Sequence, residues 1–339
     1  MKIQQALEKL LANQDLSGDE MAAVMRTIMT GEATPAQIGG FLVALRMKGE
    51  TVDEVAAAAS VMRSLAESVT LGSEASIDIV GTGGDSTSTF NISTCSSIVA
   101  AAAGATVAKH GNRSVSSKSG AADVLEAAGV NINLAPDQVA QCVKQLNLGF
   151  MFAPLHHSAM KHAIGPRREM AVRTIFNLLG PLTNPAGARS QLMGVYDAQW
   201  VTPIARVLAK LGSDHVIVVN GHDGMDEISI SGPTRVAELK SGVVEEYVIE
   251  PAQFGLQTSP LSQIAVNSAE ESLAIIHSVL QKQAGPARDI VLLNAGAAIC
   301  VAGVAGSIAD GIKLAAHAID SGDAEQKLQQ LVSLTNTFT

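Results

Sequence analysis

Hydrophobic and polar positions along the chain fall into two regimes. Over the first 67 residues apolar side chains recur at helical spacing, and Ser17 with Glu20, Thr34 with Gln37 and Thr51 with Glu54 each form a capping box. In that arrangement the hydroxyl accepts from a free backbone N–H of the first turn, while the acid or amide reaches back to the cap residue. Pro35 stands at a first helical position, where its missing N–H costs nothing. The pattern predicts four helices, over about 3–13, 18–30, 35–48 and 52–67, which form a small all-helical module.

From residue 75 the period shortens. The β-branched runs "ASIDIV", "ATVAKH", "VNINL" and "HVIVV" alternate with helical segments such as "CSSIVAAAAG", "PDQVAQCVKQL" and "VTPIARVLAKLG". This alternation predicts an α/β domain with a largely parallel central sheet flanked by helices. "DEISISG" and "VVEEYVIE" read as edge strands, and Ser268 with Glu271 opens a stretch that is helical nearly to the end. The expected division is a helical domain over 1–70 and a larger α/β domain over 75–339. Between them, the segment 150–185 breaks the alternation with basic, His and Pro residues. Part of 160–190 is expected to cross back to the helical module and to lie in the cleft, where ligand sites tend to form.

Composition sharpens this picture. Hydrophobic residues make up 47% of the chain, yet there are one Trp, two Tyr and seven Phe, so small aliphatic side chains must pack the core through close helix contacts. The apolar stretch 290–309 is as long as a membrane span, but Asn294 and its glycines predict two buried helices meeting at a turn. The opening "MKIQQALEKLLANQD" carries charges and glutamines where a signal peptide has an apolar segment. Cys95, Cys142 and Cys300 are odd in number and fit no metal spacing, as expected of buried thiols in a reducing compartment. A soluble, cytoplasmic protein is expected. With 23 basic against 32 acidic residues, the net charge of −9 argues against nucleic acid or membrane partners. Any anionic substrate must therefore be held locally.

Four stretches carry candidate chemistry. In "DIVGTGGDSTSTFN", residues 78–91, Gly81, Gly83 and Gly84 follow a strand, and Asn91, Ser93 and Thr94 open a helix. Glycines let backbone N–H groups approach a phosphate, and the helix turns its positive end to the charge. The spacing is neither that of a P-loop nor the dinucleotide fingerprint, and a purely structural glycine turn reads the same way. The second stretch, "KHGNRSVSSKSGAADVLEA", gathers Lys109, Arg113 and Lys118 with Ser114, Ser116, Ser117 and Ser119 between another strand and helix. Two such loops on successive strands point to one crevice beyond the strand ends. The third, "GHDGMDEISISG", holds Asp223, Asp226 and Glu227, carboxylates suited to Mg²⁺ beside a diphosphate; a solvated acidic turn is the plainer reading of such a run alone. The fourth includes His156, His157, His162, Arg167 and Arg168. An arginine fork suits a planar carboxylate, whereas the histidines lack companions at a metal spacing.

Taken together, "GTGGD" with "NIST", "KHGNRSVSSKSGAADVLEAAG", "FNLLGPLTNP" and "DGMDE" resemble the anthranilate phosphoribosyltransferases of tryptophan biosynthesis, over essentially the whole chain. The resemblance implies Mg²⁺-dependent transfer of the 5-phosphoribosyl group from phosphoribosyl diphosphate to the amine of anthranilate, with two ions per subunit. It implies that Gly81, Gly84, Asp85, Thr89, Asn91, Ile92, Ser93 and Thr94 line the donor. Lys109, His110, Gly111, Asn112, Arg113, Ser114, Val115, Ser116 and Ser117 form the second loop around it, with Ala121 behind. Ser93, Asp226 and Glu227 hold the metal; Gly81, Asn112 and Arg167 contact anthranilate, with His110, His157 and Pro181 lining its approach. Relatives often carry Leu-Gly where this chain has Met170 and Ala171. A homodimer through the N-terminal helices is expected. A pyrimidine nucleoside phosphorylase, or a nucleic-acid-binding relative of the same fold, is the competing reading.

Overall fold

The computed structural model describes residues 1–72, 75–85, 87–114 and 119–338. Four helices open the chain: α1 (Ile3–Leu11), α2 (Gly18–Met29), α3 (Pro35–Lys48) and α4 (Val52–Leu65). All three capping boxes read from the sequence form: the Ser17, Thr34 and Thr51 hydroxyls accept from the N–H groups of Glu20, Gln37 and Glu54.

The α/β part runs β1 (Ile77–Gly81), α5 (Ile92–Ala102), β2 (Val107–Gly111), α6 (Ala121–Ala127), α7 (Pro136–Leu146) and β3 (Leu148–Phe152). The chain then crosses through α8 (Ala153–His156), α9 (Lys161–Met170) and α10 (Phe176–Leu179) to β4 (Ser190–Gly194), α11 (Val201–Lys210) and β5 (His215–Gly221). The antiparallel strands β6 (Thr234–Lys240) and β7 (Val243–Ile249) follow, then α12 (Ala269–Leu280), α13 (Pro286–Val301), α14 (Ile308–Ser321) and α15 (Asp323–Thr335).

The seven strands lie in the order β3-β2-β1-β4-β5-β6-β7, with β1 to β5 mutually parallel. The winding reverses between β1 and β4, so their adjacent C-terminal ends, where Gly81 pairs in register with Gly194, border a crevice at a topological switch point.

Strand periodicity divides the core. Ile79, Leu192, Ile217 and Val219 face the cluster formed with α5 and α12 to α15, while Met193, Val216, Val218 and Ala237 face α11 and the helical module. Residues of α9 and α10 join that second cluster, so the crossing segment packs against α1 to α4.

Two predicted strands do not form. "VNINL" is buried at Val130, Ile132 and Leu134, but the Asn131 and Asn133 N–H groups donate to the side chains of Thr335 and Asn131 instead of a neighbouring strand. The edge strand lies at Leu148–Phe152, inside what the sequence presents as an interruption. "DEISISG" likewise satisfies its backbone with side chains: Asn294 Oδ1 accepts from Ile228, Thr234 Oγ1 from Ser229 and Ser229 Oγ from Ser231. Its pairing partner role falls to Thr234–Lys240. The stretch 290–309 is two helices with a turn, as expected. A Cβ at Gly311 would collide with the Gly296 backbone, which explains how small residues replace aromatic ones in this core. No described helix is long and apolar enough to cross a membrane.

Candidate active site

The crevice at the switch point is built from backbone. After Gly81 the loop turns through Gly83 and Gly84 at φ of 66° and 78°, a left-handed region that glycine enters freely. The Gly83 N–H donates to Asp226 Oδ2 at 2.7 Å. Side chains at Gly81 or Gly194 would strike Asp226, so both strand ends are cleared for one aspartate. Asn91 caps α5: its Oδ1 accepts from the Thr94 N–H at 3.0 Å and from Ser93 Oγ at 3.3 Å. Its Nδ2 donates to the Ser119 carbonyl at 3.0 Å, which ties the first loop to the second. Thr89, further along the first loop, bridges Ala265.

Lys109 reaches this crevice from β2. Only 3% exposed, its ammonium donates to the Ile79 carbonyl at 2.5 Å and to Ser93 Oγ at 3.2 Å. Burial pulls its pKa down, against the pull of Asp78, Glu227 and Asp226. The carboxylates opposite keep part of their surface open to the cleft, yet desolvation dominates both. Burial, with Asp85 alongside, raises Asp226 to about 7. Burial and then the charge of Asp226 push Glu227 well above the usual carboxylate range, while Lys109 and the Ser93 backbone N–H favour its charged form.

Asp223 is not part of this group. Its Oδ2 accepts from Ser229 Oγ and Ser231 Oγ, both at 2.5 Å, and its Oδ1 from the Met225 N–H at 3.1 Å. It braces the turn that presents Asp226 and Glu227.

The second loop is divided. Gly111 abuts Phe150 and Ala121, where a Cβ would lie 2.9 and 3.1 Å away. Asn112 accepts the Ala122 N–H through its carbonyl, and the Ser114 N–H donates to Asp123. Arg113 is turned away from Lys109: its guanidinium pairs with Glu126 at 2.8 Å and Asp123 at 3.2 Å on the flank of α6. Val115, Ser116, Ser117 and Lys118 lie outside the described residues.

Beside the crevice, His110 and His157 pack edge to face with centroids 5.1 Å apart, and His156 Nδ1 meets the Glu67 carbonyl at 2.9 Å. All three imidazoles are buried, and among the described residues none of their Nε2 atoms has a hydrogen-bond partner. Burial lowers His157 to about 4 and His110 well below its ordinary value, so both are neutral near pH 7. Pro181 is buried close by in sequence to Thr183, whose backbone interacts with His157. Arg167 on α9 lies 5.0 Å over the Phe176 ring, its pKa lowered by burial. Arg168 is exposed, and His162 packs over Gly31, remote in role from the histidine pair.

Asp78, Asn184 and Arg173 were not singled out from sequence. Asp78, fully buried in β1, accepts from the His110 N–H at 3.0 Å and from Asn184 Nδ2 at 2.7 Å, and burial raises its pKa to about 6. An acid inside an apolar strand was the available signal for Asp78. Arg173, which donates to the Gly84 carbonyl, gave none.

Comparisons with known proteins agree with this arrangement. The glycosyl transferase family models match in two parts, the helical bundle domain over 4–66 and the a/b domain over 73–325. The anthranilate phosphoribosyltransferase of Thioalkalivibrio sulfidiphilus is 63% identical over 335 residues, 99% of each chain. The Thermus thermophilus enzyme of that name superposes with a TM-score of 0.92 at 41% identity, covering 98% of this chain and 99% of that one. The Saccharomyces cerevisiae enzyme, solved in complex with PRPP and Mg, superposes with a TM-score of 0.90 at 28% identity, covering 99% of this chain and 98% of that one.

Proposed function

We infer the chemistry of this site from one premise: the chain belongs to the anthranilate phosphoribosyltransferase family. It transfers the 5-phosphoribosyl group from phosphoribosyl diphosphate to the amine of anthranilate, releases diphosphate, and uses Mg²⁺. At the level of residues, the observation that carries the reading is the position of Asp226 across the ends of β1 and β4, bonded to the glycine loop.

In this reading the donor occupies the crevice. Gly81, Gly84, Asp85, Thr89 and Asn91 to Thr94 line it, with Lys109 to Asn112, Ser114 and Ala121 on the second side. The positive end of the α5 dipole faces its phosphates. Ser93, Asp226 and Glu227 hold Mg²⁺. Two neighbouring carboxylates, each disfavoured in its charged form by burial, are groups that a hard cation would return to the ionised state. Among the described residues no three acidic or His side chains converge to hold an ion unaided, which suits a metal completed by donor oxygens. The bound ion would neutralise charge on the departing diphosphate. We assign two ions per subunit, a number that titration of the donor complex would measure.

The acceptor amine is neutral near pH 7, so its lone pair is free to form the new C–N bond as the bond from C1 to diphosphate breaks, and the nitrogen then gives up one proton to the released diphosphate or to solvent. The demanding part is charge, on the leaving group and on the oxocarbenium-like sugar. Lys109 and the oriented backbone donors supply preorganised stabilisation, and positioning supplies the rest. Arg167, Gly81 and Asn112 orient anthranilate. The neutral His110 and His157 form a dry wall with unpartnered Nε2 atoms along its approach, beside Pro181.

Leu11 of α1 at 77% exposed, with Met47 at 82% and Val43 one turn before it on α3, support a homodimer through the helical module. Light scattering at a monomer mass would overturn that. A biosynthetic role supports a cytoplasmic location. Loss of anthranilate fluorescence with phosphoribosyl diphosphate, dependent on Mg²⁺, tests the whole reading. Phosphorolysis of thymidine or uridine, or tight DNA binding at moderate salt, would favour the competing readings instead.

A further inference from the structure

Arg173 joins three parts of the molecule that are distant in sequence. Its guanidinium donates to the Gly84 carbonyl and lies 4.2 Å over the Tyr196 ring. Its own carbonyl accepts from Arg46 Nη1, on α3 of the helical module, at 2.6 Å. Tyr196 is attached to the same glycine loop, since its N–H donates to Thr82 Oγ1 at 2.9 Å. The chain arrives at Arg173 directly from α9, which carries Arg167, through a left-handed turn at Ala171 with φ of 52°.

Resting on the reading of the crevice as the donor site, we propose that Arg173 is a positioning residue for the phosphoribosyl donor. A peptide is planar and trans, so fixing the Gly84 carbonyl on one side turns the Asp85 N–H to the other. A carbonyl free to rotate in a loop of left-handed glycines would present its oxygen to the incoming phosphate and repel it. Arg173 holds that oxygen away and leaves the N–H side for the anion. The Tyr196 ring keeps the guanidinium in place through its π face, and Arg46 anchors the segment from the opposite domain. Donor loop, acceptor helix and helical module are thereby tied at one residue.

The test measures KM for both substrates and kcat in Arg173→Ala, Arg173→Lys, Tyr196→Leu and the double variant Arg173→Ala/Tyr196→Leu, each checked for an unchanged unfolding temperature. Arg173→Ala should raise the donor KM ~10-fold or more, as loss of a charge-assisted bond does, with kcat and the anthranilate KM little changed. Arg173→Lys should recover part of the loss, because the charge remains but the planar fork does not. Tyr196→Leu should raise donor KM through Arg173 alone, so the double variant should match Arg173→Ala. An unchanged donor KM, equal rises for both substrates, or additive losses in the double variant would overturn the assignment. A wild-type protein inactive toward the donor would overturn the reading of the crevice itself.

Discussion

Gly194 and Asp226 meet so closely that a Cβ on the glycine would collide with the backbone oxygen of the aspartate. Gly194 ends β4 and pairs in register with Gly81, so the acidic turn rests on two bare strand ends. Gly194→Ala should displace the turn, destabilise the protein by about 1–3 kcal/mol as overpacking does, and lower Mg²⁺-dependent turnover. Kinetics and thermal unfolding indistinguishable from the wild type would show that the turn has room to spare.

Asp226→Asn and Glu227→Gln test the metal assignment without changing shape. Each should lower Mg²⁺-dependent turnover by ~10²-fold or more, as disturbance of a metal site can. Full activity at the same Mg²⁺ concentration would remove the residue from that site.

Arg167→Ala addresses the acceptor. Removal of a charge-assisted contact should raise the anthranilate KM ~10-fold or more, with the donor KM nearly unchanged. Equal effects on both substrates would contradict its role.

The histidine pair links the site to stability. An imidazole with a folded pKa below its unfolded value of about 6.5 takes up a proton more readily when unfolded. Its contribution to stability is therefore complete above pH ~6.5 and is lost as pH falls toward the folded value. His157, lowered to about 4 by burial, contributes on the order of 3 kcal/mol to that loss. Asp78, raised to about 6, acts with the opposite sign: its folded state keeps a proton that the unfolded chain releases, so stability falls as pH rises through about 4 to 6. His157→Gln should isolate the first effect, flattening the denaturant-derived stability profile between pH 7 and 4. A slope equal to that of the wild type would show that His157 takes up its proton equally in the folded and unfolded chain.

Ala171 offers a prediction of opposite direction. It closes α9 in the left-handed conformation at φ of 52°, its N–H bonded to the Arg167 carbonyl. That conformation costs a residue with a Cβ roughly 1–2 kcal/mol, and glycine is the usual occupant of such caps. Ala171→Gly should raise the unfolding temperature, with a net gain of about 1 kcal/mol. A lower temperature would mean that chain entropy outweighs the relief.

Strand assignment shows where sequence patterns misled. The alternation in "VNINL" reports burial on one face, and a loop whose amides bond to side chains produces the same alternation as a strand. "SQLMG" forms β4, although it has no β-branched residue, because it is enclosed between β1 and β5. Propensity is local, whereas pairing depends on neighbours supplied by distant sequence.

The sequence by itself determined the helical caps, the change of period near residue 75, the two loops at strand ends and the acidic turn, since each is a short-range pattern with its own chemistry. Tertiary structure alone decided which of the clustered charges face the crevice. Asp226 and Glu227 do, while Asp223, three positions before Asp226, braces the turn through Ser229 and Ser231. Arg113 pairs with α6, while Arg173 meets the glycine loop. The direction of a side chain within a turn is set by the groups packed around it, and those come both from the turn itself and from loops distant in sequence, as Gly83 does for Asp226.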